Sequence, residues 1–187
     1  GVPGVVDVAA TSFAPFFGSV SIAEIEIPNQ PPRERSFTAY RNVVTPNFFD
    51  VLEIPIVRGR SFTASDNASA ERVVVINEVA ASRWWPNEDP IGKRVNLYAM
   101  VRFTATVIGV SRAGRLFGND TRLRPEIFLA AAQDNPRFIT FVAHTSDRPE
   151  LALPGLRRAV WAVAPRLPIS NSTDLASIAS RSVRRVR

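Results

Sequence analysis

Cysteine is absent from the 187-residue chain, and histidine and methionine each occur once. Without cysteine there is no disulfide, no thiol nucleophile and no thiolate metal site. The single histidine, His144, stands at the end of a predicted strand, where an edge or surface residue is expected. It cannot join a cysteine or a second histidine in a nucleophile relay of the usual kind, which argues against that class of enzyme.

Long apolar runs are also missing. No stretch approaches the ~18 apolar residues that a membrane-crossing helix needs, and the first residues lack the charged and apolar regions of a signal peptide. The chain opens inside an apparent motif, GVPGVVDVA, without an initiator methionine. This opening suggests a domain of a longer protein.

Lysine occurs once, so arginine carries nearly all of the positive charge, and the chain has a net charge of +6 against 17 acids. A polyanion or an anionic membrane surface would be a functional reason for this excess, and a GC-rich genome would be a neutral one. The arginines are scattered, with one cluster, RSVRRVR, at the end. No zinc-finger, RNP or helix-turn-helix pattern accompanies them, so we expect no nucleic-acid partner.

The hydrophobic pattern predicts an α+β fold, since strand-helix-strand units stand at both ends and the middle is richer in strands. Strands are predicted over 5–9, 20–27, 37–44, 56–57, 73–76, 93–100, 101–110, 125–129, 138–143 and 168–171. Helices are predicted after Thr45 and after Asn77, over 150–163, and from 174 to the end. Residues 111–124, rich in glycine and arginine, are predicted to form the most mobile loop.

Three local features are predicted in more detail. The alternation of 20–27 slips by one residue at Ala23–Glu24, which predicts a β-bulge or a twist there. Thr45 before Pro46 predicts an N-cap with proline at the first helical position. Pro154 and Gly155 predict that the first turn of the helix over 150–163 is separate or distorted.

The segment RWWPNEDPIGKRV, 83–95, raises the possibility of a ligand platform at Trp84–Trp85 and of a phosphate site at Gly92–Lys93. A P-loop requires GxxxxGK[ST] between a strand and a helix, whereas Lys93 leads into a strand, so the phosphate site is rejected. A tryptophan at a helix end followed by proline more often plugs a core than binds a ligand. We therefore expect a structural corner here, with Asn77 capping the helix before it.

Paired acids at Glu88–Asp89 and at Glu24 and Glu26 leave a carboxylate-only hydrolase open in principle, but nothing marks which acid would be buried. A secreted or periplasmic carbohydrate or peptide hydrolase, or a free-standing basic binding protein, stays as the alternative function. No cofactor or metal ligand set is found in the sequence.

The order of motifs resembles the MacB-like periplasmic core domain of FtsX-type ABC transporter permeases, particularly the duplicated bacterial permeases. The resemblance rests on PGVVDVA, VTPNFFDVLEIPIVRGRSFTASD, VVVINEVAASRWWPNEDPIGKRV, ATVIGV, RPEIFLAAAQ and RFITFVAHTSDRPELALPGLRRAVWAVAPRLPI, which follow the family's order over nearly the whole chain. Its structural signature residues are Asn77, Trp85, Pro90, Gly92 and Lys93.

The resemblance implies a porter-like subdomain of strand-helix-strand units with an inserted, mainly β, sabre-like subdomain. We place the first porter-like part at 1–72, the insertion at 73–133 and the second porter-like part at 134–187. It also implies a non-catalytic domain between transmembrane helices 1 and 2 of a permease in the bacterial inner membrane, facing the periplasm. Both ends of the chain should then lie close together.

The implied partners are the permease's own transmembrane helices and a cytoplasmic ATPase subunit, whose ATP-driven conformational change the domain would transmit. A periplasmic adaptor protein or a second permease copy would receive it. The RSVRRVR cluster adds the membrane surface as a partner, although cytoplasmic flanks usually carry the arginine excess.

Overall fold

The computed structural model describes residues 1–13, 21–28, 30, 36–98, 102–114, 123–136, 138–170 and 172–178. In these residues the chain forms one mixed nine-stranded sheet and few helices, so the α+β prediction is confirmed. The elements are β1 (Val5–Thr11), β2 (Ser21–Glu26), β3 (Ser36–Val44), α1 (Phe48–Val51), β4 (Ile56–Gly59), β5 (Val73–Asn77), α2 (Glu78–Trp84), β6 (Arg94–Tyr98), β7 (Arg102–Ser111), β8 (Glu126–Ala130), β9 (Thr140–Thr145) and α3 (Pro149–Val163).

Six strands close into a ring, in the order β2-β6-β7-β5-β8-β3 and back to β2. The closure depends on β3, which pairs with β2 along one edge, from Ser36 to Arg41, and with β8 along the other, from Tyr40 to Val44. The strand pairs are antiparallel except for β3 with β8 and β5 with β7. The ring is thus a small mixed barrel without free edges of its own between these strands.

The ring encloses the larger apolar core, because every one of its six strands contributes buried residues to that cluster. Helix α2 adds Ala80 and Trp84, and Trp85 follows from the residue after the helix. The strand residues are Ala23, Ile25, Ala39, Val43, Val74, Ile76, Val95, Leu97, Ala105, Val107, Val110, Ile127 and Leu129.

A second core lies on the other side of β5 and β8. Val75 and Phe128, which alternate with the residues inside the ring, pack there with Phe48 and Phe49 of α1. The rings of Phe49 and Phe128 meet edge to face, with centroids 5.0 Å apart. Both strands are buried on both faces, which explains their uninterrupted apolar sequences, VVVI and IFLA.

Strands β1 and β9 extend the sheet beyond the ring. β1 pairs with β9 from Val5 to Thr11 but meets β3 in register only at Thr11 and Val44. Asn42 strengthens this junction, since its Oδ1 accepts hydrogen bonds from Thr11 Oγ1 at 2.7 Å and Ser12 Oγ at 2.8 Å. β9 forms an outer edge of the sheet, because its one described neighbour is β1.

Two of the detailed predictions are wrong. β2 pairs with β3 in unbroken register, with Ala23 and Ile25 turned into the core and Ile22 exposed, so no bulge is needed at Ala23–Glu24. The alternation was misread because Ala23, though small, occupies an inward position. The N-cap position of α1 is held by Asn47, without a capping hydrogen bond from its side chain, and not by Thr45, whose hydroxyl accepts a hydrogen bond from the backbone N–H of Ala10 at 2.9 Å.

Helix α3 runs without interruption from Pro149 to Val163 with Pro154 inside it, so the prediction of a separate first turn is wrong, whereas a distorted turn stays a prediction. Pro154, the sixth residue of the helix, has no N–H to donate to the carbonyl of Glu150, which removes one helical hydrogen bond. Residues 168–170 form no strand, contrary to prediction, and residue 171 lies outside the described residues.

The other predicted strands are present, including the β6–β7 hairpin, whose turn at 99–101 lies outside the described residues. The same holds for 115–122 of the predicted loop and for 179–187 of the last predicted helix, of which 175–178 are helical. The strands of 73–133 pair with β2, β3 and β4 from outside that range, and the subdomain boundaries stay a prediction. No helix of the described chain is long and apolar enough to cross a membrane.

Candidate functional site

Asn77 joins three parts of the structure at the corner between β5 and α2. Its Oδ1 accepts hydrogen bonds from the backbone N–H of Ala80, at 2.9 Å, and of Glu126, at 3.2 Å. Its Nδ2 donates to the carbonyl of Arg124 at 2.7 Å. Asn77 is therefore the N-cap predicted for α2, and it also holds the start of β8 against the end of β5.

Trp84 and Trp85 are buried, with 1% and 4% of their surfaces exposed. Their rings meet edge to face with centroids 6.0 Å apart, and Trp84 also contacts Phe37, at 6.1 Å. A stacking platform needs an open ring face, so this pair cannot serve as one in the described structure. The prediction that the pair plugs a core is confirmed.

The turn after α2 leads the chain back into the ring. Gly92 has a φ of 78°, in the left-handed region that favours glycine, and its N–H donates to the carbonyl of Val107 at 2.8 Å. Lys93 forms an ion pair with Glu88, and its Nζ lies 5.9 Å from the centre of the Trp85 ring. Pro90 is buried beside them.

An open groove of about 460 Å³ lies between β4 and the α2–β6 connection. Its lining includes Arg58, Glu78, Ser82, Trp85, Glu88, Asp89 and Pro90. Of the five predicted signature residues, Trp85 and Pro90 line this groove, whereas Asn77 is buried at the start of α2 and Gly92 and Lys93 lie in the turn outside its lining. Their role as a signature stays a prediction.

The three acids in the lining of this groove each have a partner. Lys93 neutralises Glu88, Asp89 accepts a hydrogen bond from the N–H of Ile91, and Glu78 accepts one from the N–H of Ala113. Among the described residues no group of three or more histidines and acids is arranged to hold a metal ion.

The sequence GRSFTASD forms a second stabilised corner. Both terminal nitrogens of Arg60 donate to the carboxylate of Asp66, at 2.7 and 2.9 Å, and the N–H of Thr63 donates to it at 2.8 Å. The hydrogen bond from Arg60 holds the pKa of Asp66 below its usual value. The carboxylate thus closes a loop after β4, which gives this motif a structural reason.

A row of polar residues crosses four neighbouring strands, from Ser111 through Asn77 and Glu126 to Tyr40. Glu126 is 2% exposed, and burial raises its pKa to about 8. The hydroxyl of Ser111, also buried, finds no hydrogen-bond partner among the described residues.

Sequence analysis missed Glu126. The available signal was one acid at the start of an otherwise apolar strand, EIFLA, which alone does not show whether the acid is buried. Two acids that the sequence pattern did single out lie on β2 and not on β8. Glu24 is exposed, as predicted, and Glu26 accepts a hydrogen bond from the hydroxyl of Tyr98. His144 is exposed on β9, as predicted for an edge residue.

Comparison with known proteins agrees with the resemblance in the sequence. The family profile described as "MacB-like periplasmic core domain" matches residues 1–159. No curated protein sequence matches at a significant level.

Three solved structures share the fold. The periplasmic region of MacB from Actinobacillus actinomycetemcomitans superposes with a TM-score of 0.62 at 20% identity, over 86% of this chain and 68% of that one. The extracellular domain of the noncanonical ABC-type transporter YknZ from Gram-positive bacteria gives 0.56 at 19%, over 84% and 79%. A domain of a putative permease from Porphyromonas gingivalis gives 0.54 at 14%, over 100% and 85%.

The family profile covers well over half of the chain, and the structural neighbours are extracytoplasmic parts of transporters or a permease domain. The chain belongs to the family of MacB-like periplasmic core domains.

Proposed function

We propose that the chain is a non-catalytic periplasmic domain between transmembrane helices 1 and 2 of an ABC transporter permease in the bacterial inner membrane. It transmits ATP-driven conformational change from a cytoplasmic ATPase subunit to a periplasmic adaptor, a substrate or a second permease copy. The family match over residues 1–159 carries this proposal.

Two contacts on one helix support the placement between two membrane helices; residues 179–187 lie outside the described residues, and the closeness of the two ends stays a prediction. Val2 lies against Gly155, where an added Cβ would come within 2.6 Å of the valine side chain. Ser172 accepts a hydrogen bond from Arg157 at 3.1 Å. Both contacts are on α3, so the first residues and those shortly after the helix approach the same element.

The closed ring supports a role in transmission. A domain that passes on motion must move as a rigid unit, and a closed ring with an apolar core resists deformation better than an open sheet. The ring and the second core share β5 and β8, which couples the two halves of the domain.

The test uses the full-length permease with its ATPase subunit in lipid nanodiscs. Because this chain lacks cysteine, a dye on Arg83→Cys, an exposed position of α2, labels one site in it. We expect energy transfer from this dye to acceptor lipids to change when ATP is trapped. Transfer between dyes on Arg83→Cys and Ala162→Cys, within the domain, should stay constant.

The control is the same assembly with an ATPase subunit that binds ATP but cannot trap the closed state. Unchanged transfer to the lipids in an assembly that hydrolyses ATP would refute transmission.

A second experiment tests the periplasmic placement. A membrane-impermeant maleimide should label Arg83→Cys in intact spheroplasts. Labelling only after lysis would contradict a periplasmic location.

A further inference from the structure

The net charge of the chain is concentrated in its last part. Residues 148–187 hold eight of the 23 basic residues and two of the 17 acids, whereas residues 1–147 hold 15 of each. The entire net charge of +6 therefore belongs to residues 148–187, which include α3. Such an asymmetry is typical of a segment that meets an anionic partner.

Helix α3 presents apolar side chains to solvent within this basic segment. Of its fifteen residues only Ala152 is buried, while Leu151 is 64%, Trp161 44% and Val163 88% exposed. Leu167, just after the helix, is 55% exposed. Arg158, within the helix, and Arg166, just after it, are also exposed.

The combination of an exposed tryptophan and leucines with arginines suits the boundary between lipid headgroups and acyl chains. Tryptophan places its apolar ring at headgroup depth, and arginine keeps its charged end among the phosphates. Trp161 is also held in place, since its Nε1 donates to the carbonyl of Leu167 at 3.2 Å. We propose that α3 and residues 164–167 form a docking surface for anionic lipid headgroups.

A second copy of the chain is disfavoured as the occupant, because both surfaces would carry the same excess of positive charge. A nucleic acid would match the charge but would leave Leu151, Val163 and Leu167 without an apolar partner. The lipid proposal relies on the domain lying beside a membrane, as proposed above. The two proposals can still be tested separately, because a failure of the chain to bind vesicles would leave the transmission of ATP-driven conformational change unaffected.

The test measures binding of the 187-residue chain to vesicles of equimolar phosphatidylcholine and phosphatidylglycerol by co-sedimentation. We expect binding that high salt reverses, and none to phosphatidylcholine alone. Arg158→Glu with Arg166→Glu should lower the partition coefficient by about tenfold or more. The matched control, Arg83→Glu with Arg94→Glu, makes the same change of charge at exposed positions outside the segment and should lower it less than about twofold.

Tryptophan fluorescence locates the contact. Trp84 and Trp85 are buried, so quenching by brominated phosphatidylglycerol should come from Trp161 and disappear in Trp161→Phe. Equal weakening by both arginine pairs, vesicle binding without quenching, or equally tight binding to a DNA duplex with the same fluorescence change would each overturn the proposal. Melting curves of every variant show that it is folded.

Discussion

The ring and the segment from residue 148 onward are built in opposite ways. The ring belongs to the part of the chain whose charges cancel, and its apolar side chains are enclosed by strands that pair on both edges. The later segment carries the whole net charge, and its helix buries one residue while four of the large apolar side chains in and after it are exposed. Contacts within the chain therefore bury the apolar side chains of the first region, whereas the second region exposes apolar side chains that a partner could cover.

Tryptophan substitutions should give the largest difference between the two regions. Trp84→Ala removes a side chain that is 1% exposed and leaves a cavity in the ring, so we expect it to lower the free energy of unfolding by about 3–5 kcal/mol. Trp161→Ala, at an exposed position of α3, should cost less than about 1 kcal/mol. Urea unfolding of both variants measures the difference, and equal losses would contradict the contrast.

Glu126 is the exception within the ring, because a carboxyl is buried there without a neutralising cation among its described contacts. Its pKa is raised from 4.5 to about 8, so the folded state keeps a proton that the unfolded state releases. Stability should therefore fall as the pH rises from about 4.5 to 8, by on the order of 2–4 kcal/mol, and level off above that range.

Glu126→Gln removes this titration, so its stability should exceed that of the unmodified chain increasingly from pH 5 to pH 8. Unfolding by urea at a series of pH values measures the slope. Glu24→Gln, at an exposed position of β2, is the matched control and should leave the slope unchanged. Parallel pH profiles for Glu126→Gln and the unmodified chain would show that the carboxyl is not shielded as described.

The fold could be predicted to different extents in the two regions. β5 and β8 are recognisable because strands buried on both faces have uninterrupted apolar sequences, and Asn77 is recognisable as a cap because it separates such a strand from a helical pattern. Closure of the ring could not be predicted, since it depends on β3 pairing with β2 along one edge and β8 along the other. Strand pairs distant in sequence leave no local pattern.

The candidate site shows the same limit. The sequence indicated that Trp84 and Trp85 plug a core, but the groove beside them depends on β4 lying opposite α2, some twenty residues away in the chain. Glu126 could not be identified because burial of one acid follows from the packing of both faces of β8. The continuity of α3 could not be predicted locally, because an internal proline such as Pro154 usually ends or kinks a helix.

Helix caps give a smaller test of the comparison. Asn77→Ala removes the cap of α2 and its hydrogen bonds to Arg124 and Glu126, so a loss of about 1–2 kcal/mol is expected. Asp174→Ala removes the hydrogen bond from the N–H of Ser177 at the partly buried turn over 175–178, and should cost about 0.5 kcal/mol or less. Thermal unfolding monitored by circular dichroism compares them, and a larger loss for Asp174→Ala would reverse the order of the two regions.

The smallest effect on stability is expected where the effect on lipid binding is largest. Arg158 and Arg166 are exposed and make no ion pair with a described acid, so Arg158→Glu with Arg166→Glu should change the free energy of unfolding by less than about 0.5 kcal/mol. Reversing two charges in a segment with a surplus of positive charge could even raise stability slightly by relieving repulsion. Urea unfolding at low and high salt separates the contribution of charge repulsion from that of side-chain packing, because salt screens repulsion but leaves packing unchanged. A loss of several kcal/mol would mean that these arginines stabilise the fold. Their exposure on and after α3 would then no longer indicate a surface for an outside partner.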